Sequence, residues 1–89
     1  MDSIAFEEKL NDDGYTEIET KALAPRPANG EHGHHFSVRG LVLSGAFIVT
    51  QNDQTVTYRT GEIFAVPEGQ LHCEAVGLEG ATILVGRKY

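Results

Sequence analysis

The chain has 89 residues, a 40% apolar content without tryptophan, and a formal charge of −6, which bounds it to one modest domain whose core is compact or shared with a partner subunit. The negative charge disfavours nucleic acid and anionic membrane surfaces, both of which are gripped through clustered Lys and Arg. With Cys73 as its only cysteine it can form no intrachain disulfide, and so a reducing cytoplasm is the expected location.

The N-terminal segment MDSIAFEEKL has neither a basic start nor a sustained apolar stretch, so no export signal is expected. Residues 3–10 predict a short helix with Ser3 as N-cap and Ile4, Phe6 and Leu10 partly sharing a face. NDDG at 11–14 reads as a turn, and YTEIETKALA alternates well enough to read as a strand. Residues 1–24 hold seven acids against Lys9 and Lys21, so the acidity is concentrated in this N-terminal arm. PRPANG then reads as a loop.

From residue 32 the chain predicts short strands at 32–43, 46–51, 55–60, 63–66, 71–76 and 81–88. The separators Ser44-Gly45, Asn52-Asp53-Gln54, Thr60-Gly61-Glu62, Pro67-Glu68-Gly69 and residues 77–80 all have turn chemistry. The longest mostly apolar run, GLVLSGAFIV, is too short to span a bilayer as a helix. Short, regularly spaced strands in so small a chain predict an all-β, antiparallel sandwich or barrel.

His32 and His34 are one residue apart, so an extended strand sends both side chains to one face with backbones about 6–7 Å apart. Two ring nitrogens can then meet on one ion, although the triplet also suits a solvated loop. His35 points to the opposite face. In TGEIFAVPEGQLHCEA, Gly61, Pro67 and Gly69 shape a tight turn ahead of His72, and a third imidazole joining the first two would make a metal site. Glu74 shares the face of His72 and is a candidate replacement ligand, outer partner or proton-transfer base. Cys73 lies between them on the other face and reads as packing. Phe36, Phe47, Tyr58 and Phe64 read as core or pocket lining. No phosphate-cradling glycine loop occurs, and neither Ser44 nor Cys73 has the neighbours of a catalytic nucleophile.

Together the two histidine elements resemble the paired motifs of the cupin family, over residues 30–77. The second motif is matched at Gly61, Pro67, Gly69 and His72, with Val76 where an Asn is usual. The first is matched at His32, His34 and Gly45, but its carboxylate position falls on Val38 and its leading glycine on Arg26. The resemblance implies a small double-stranded β-helix, a jelly-roll-like barrel at 25–89 preceded by the arm at 1–24, and often dimeric. It implies a divalent ion, Fe, Mn, Ni or Zn, held by His32, His34 and His72. It also implies a small organic substrate or ligand. Cupins include dioxygenases, isomerases and decarboxylases as well as noncatalytic binding or sensor-like modules, and the fold alone does not choose among them.

Overall fold

The computed structural model describes residues 2–89, which form one helix, α1 (Ser3–Asp12), and five strands: β1 (Thr16–Leu23), β2 (Ser37–Gln51), β3 (Gln54–Arg59), β4 (Ile63–Val66) and β5 (His72–Lys88). All pairing is antiparallel, in the order β1-β5-β2-β3, with β4 also on β2. The architecture is the all-β barrel expected from the strand pattern. No helix among the described residues is long and apolar enough to cross a membrane.

Two long strands organise the barrel. The first half of β2 pairs with β4, from Val38↔Val66 to Leu41↔Ile63, and its second half pairs with β3, from Ala46↔Arg59 to Gln51↔Gln54. β5 runs beside both halves, from Ser37↔Lys88 to Gln51↔His72. The separators expected at Ser44-Gly45 and at residues 77–80 therefore do not end strands. They are register shifts inside β2 and β5, falling between Val42 and Ser44 and between Gly45 and Phe47. Gly45 and Gly80 both have positive φ, 76° and 77°, and a Cβ on Gly45 would lie 2.0 Å from the Gly80 carbonyl oxygen. Glycine is needed there because two backbones touch at the bend.

The true strand ends carry the expected turns. Asn52 and Asp53 adopt φ 53° and 60°, the left-handed pair that a two-residue hairpin requires. The Gly61 turn is tied back to β2, with Gly61 N donating to Val42 O (2.8 Å) and Val42 N to Glu62 O (3.0 Å).

Alternation places two apolar clusters on opposite sides of the sheet. Val42, Phe47, Val49, Phe64, Val66, Val76, Ala81 and Ile83 fill the barrel interior. Phe6 and Leu10 of α1 join Tyr15, Leu41 and Leu84 to cover the outer face. Helix α1 is capped by Asp2, whose Oδ1 accepts from Ala5 N at 2.8 Å, so the cap lies one residue before Ser3. Ile4 is 73% exposed and does not join Phe6 and Leu10. The Asp13 carboxylate accepts from Arg39 of β2, fastening the helix end to the sheet. Arg39 holds the Asp13 carboxyl below its ordinary range, and Lys9 adds to the effect.

Candidate metal centre

Residues between β1 and β2 are irregular and are held by two isolated backbone bridges, Arg26 opposite Val76 and His32 opposite His72, and by Asn29 N donating to Glu74 O at 3.1 Å. The strand expected from residue 32 begins at Ser37 instead, after a bend at His35 and Phe36. The histidine pair is consequently placed by its partners rather than by a strand of its own. His32 N donates to His72 O (3.0 Å) and His72 N to His32 O (2.9 Å), while the His34 carbonyl accepts from Gly69 N (2.9 Å). The Pro67–Gly69 turn thus clasps the first histidine element as well as delivering the second.

The three rings converge. Centroids lie 4.4 Å apart for His32 and His72, 5.0 Å for His32 and His34, and 5.1 Å for His34 and His72. One ring nitrogen from each lies within 4.8 Å of the other two, the one such grouping among the described residues. His35 is exposed and outside the group, and Cys73 lies half-buried opposite Thr50, also outside it.

Hydrogen bonds to carbonyls orient two of the rings. His72 Nδ1 is 2.9 Å from Gln70 O, and His32 Nδ1 is 2.8 Å from Gly30 O. A carbonyl only accepts, so both Nδ1 atoms carry the proton and both Nε2 lone pairs are left for an ion. His72 is 1% exposed. Burial, reinforced by the neighbouring His72 and His32, holds the His34 imidazole below its ordinary pKa, which favours the neutral form that ligates. The donor set, three oriented nitrogens with room for further ligands, fits a divalent ion.

The surroundings are mixed, with apolar side chains alternating with Lys21, Arg26, Glu74 and Arg87. A cavity of about 240 Å³ opens beside the histidines, lined by Val38, Phe47, Phe64, Ile83 and Val85 among others. Val38 forms part of this wall, so the position of the family's carboxylate ligand is hydrocarbon here. Glu74 also lines the cavity, with Oε2 4.0 Å from His72 Nε2. It stands beside the histidine group and is not a member of it. Phe47 and Phe64 serve both as core and as cavity wall; Tyr58 packs against the interior cluster without lining the cavity.

Phe36 lines the cavity, one of the two roles its sequence position suggests, but three contacts at the site have no clear sequence signal. Phe36 stacks on His34 at 4.7 Å and 8°. Arg87, 51 residues beyond Phe36, lies over its ring at 4.6 Å. Gln51 lies opposite His72 in the ladder with its Oε1 buried and without a partner.

A sequence model of the cupin domain matches residues 20–85. The chain belongs to the cupin family. Solved structures agree on the cupin fold: a protein of unknown function from Rhizobium leguminosarum superposes with TM-score 0.72 at 25% identity, covering 80% of this chain and 67% of its own. A cupin 2 conserved barrel domain protein from Salinispora arenicola gives 0.68 at 19% identity, with 81% and 61% covered. An RmlC-like cupin from Shewanella frigidimarina gives 0.69 at 18% identity, with 80% and 63% covered. The cupin described here therefore spans roughly two thirds of each of these neighbours. No curated protein matches it.

Proposed function

We propose that this cupin is a cytoplasmic, homodimeric metal-binding protein that holds one divalent ion on His32, His34 and His72 and binds or transforms a small organic molecule in the adjoining cavity. The observation that carries the reading is the convergence of three imidazoles, two of them with Nε2 freed by a carbonyl on Nδ1, at the side of a cavity. When bound, the ion would supply Lewis-acid polarisation and could acidify a coordinated water towards a pKa of about 7.

The chain's own groups have definable roles in that chemistry. Gln70 and Gly30 fix the ring tautomers through their carbonyls. Val38, Phe47 and Phe64 keep bulk water from one wall, which strengthens any charge interaction made there. Glu74, with Oε2 4.0 Å from His72 Nε2, would take or hold a proton there. Val38 favours the second reading, a noncatalytic binding module, because the absence of a carboxylate ligand weakens retention of the ion.

Metal analysis of protein purified without a chelating tag, with His72→Ala and His34→Ala as controls, tests the ion. Stoichiometric metal in the wild type and its loss in both variants is the expected result. Equally little metal in all three, with no gain in thermal stability on adding metal, would overturn the proposal. Substrate-dependent oxygen uptake or proton release then separates an enzyme from a binder.

A further inference from the structure

We propose that the cavity beside the histidines takes a small organic carboxylate with a short apolar chain, its carboxylate held by Arg87 and its chain lying on Leu23, Val38, Phe47 and Val85. This names the ligand class of the same site and rests on the cavity being the functional centre.

The first support is the distribution of charge. The chain carries −6 overall with seven Lys and Arg, yet Lys21, Arg26 and Arg87 all line this one cavity and Glu74 is the only acid in its wall. A positive cavity in an acidic protein focuses a small anion inward. Alternation explains how it arises. Lys21 pairs directly with Ile83 across β1 and β5, so Lys21 and Leu23 share a face with Ile83, Val85 and Arg87.

The second support is the state of the three cations. Arg26 is engaged internally, with Nη1 donating to the Glu74 carbonyl at 2.9 Å. Lys21 pairs with Glu19 at 3.3 Å. Arg87 has Glu17 at 3.7 Å, beyond hydrogen-bond distance, with the two side chains 36% and 53% exposed. Such an exposed pair contributes little, so a ligand carboxylate can replace Glu17 at small cost. The Tyr89 hydroxyl and the Glu17 and Glu19 charges favour the protonated guanidinium.

The third support is placement. Arg87 lies over Phe36, and Phe36 stacks on His34, so one aromatic ring separates the guanidinium fork from a metal-binding imidazole. That fork matches the two oxygens of a carboxylate. Leu23, Val38, Phe47, Ile83 and Val85 supply the hydrocarbon part of the wall, and about 240 Å³ is below the range of pockets that hold drug-sized ligands.

The test is an NMR titration of the isotope-labelled full chain with butyrate and, separately, with its uncharged isostere butyramide, in metal-free and zinc-loaded protein. The metal-free arm is read first, because there a carboxylate has no ion to bind. Saturable shifts at Leu23, Val38, Val85 and Arg87 with butyrate, and none with butyramide at equal concentration, are expected. Arg87→Gln should weaken butyrate about tenfold or more, the loss typical of a charge-assisted hydrogen-bonded pair, with the folded amide spectrum retained. Arg87→Lys, which keeps the charge and loses the fork, should fall between. Equal shifts from butyrate and butyramide, or Arg87→Gln binding butyrate as the wild type does, would overturn the inference. If Arg87→Gln does not fold, the two wild-type titrations decide. Zinc binding without discrimination of butyrate overturns this inference alone; discrimination without zinc binding supports it and overturns the metal reading alone.

Discussion

Gly45→Ala is expected to cost about 2–5 kcal/mol of stability, from two separable sources. Its φ of 76° lies in the left-handed region, where a Cβ costs roughly 1–2 kcal/mol. The new Cβ would also meet Gly80 O at 2.0 Å, Gly80 C at 2.8 Å and Ala81 Cα at 3.0 Å, all backbone atoms. No rotamer can relieve these overlaps, so β2 and β5 must part by more than an ångström, and overpacking of this kind costs about 1–3 kcal/mol. Gly61→Ala is the control. Gly61 has φ 85° and nothing within 4 Å of its would-be Cβ, so only the conformational cost of about 1–2 kcal/mol remains. Urea unfolding of both variants measures the difference directly from the midpoints and slopes. Gly45→Ala should lose at least about 1 kcal/mol more than Gly61→Ala. Equal losses would refute the argument that backbone contact at the bend, rather than φ alone, requires glycine at 45.

Three further outcomes follow from the charges. Asp13→Asn should lower the thermal midpoint at neutral pH, and the gap to the wild type should close in strong acid. The reason is that the wild-type Asp13 carboxyl is held below its ordinary value of 3.8, so its contribution is complete above that value and lost as pH falls through the folded one; a gap that does not narrow as pH falls below 3.8 would contradict this. His34 should titrate below 6.5 in an NMR pH series on metal-free protein, since burial disfavours its charged form. Between the two values the unfolded chain binds more protons, so stability falls as pH drops below about 6.5, and a midpoint above 6.5 would count against the burial argument. Glu74→Gln should keep one metal per chain while weakening its affinity, because it removes a negative charge 4.0 Å from His72 Nε2 and hence its attraction for the ion; loss of the metal altogether would make Glu74 a ligand.

Much of the site was legible because histidine is rare here, four in 89 residues, and His32 and His34 are one residue apart. His32-x-His34 and the Gly61, Pro67, Gly69, His72 series identified the barrel and its three imidazoles, and the structure brings those imidazoles together. The strand boundaries were less legible for a physical reason. A left-handed glycine serves a hairpin turn and a bulge equally well, so Gly45 and Gly80 read as chain reversals, whereas the long-range pairing of β2 with β5 makes them bends. That pairing lies outside any local window. The same limit hid Arg87, whose approach to Phe36 depends on where β5 ends, and Arg39, whose partner Asp13 is 26 residues away. Val38 was readable as a missing carboxylate, but only the barrel shows it as cavity wall.

The central claim, that His32, His34 and His72 are the ligands of one ion, is tested most directly by X-ray absorption on protein loaded with one equivalent of zinc. The account predicts three imidazole nitrogens at about 2.0–2.1 Å, completed by oxygen. A sulfur scatterer at about 2.3 Å, which would implicate Cys73, or a shell of oxygen with fewer than two imidazoles, would contradict it.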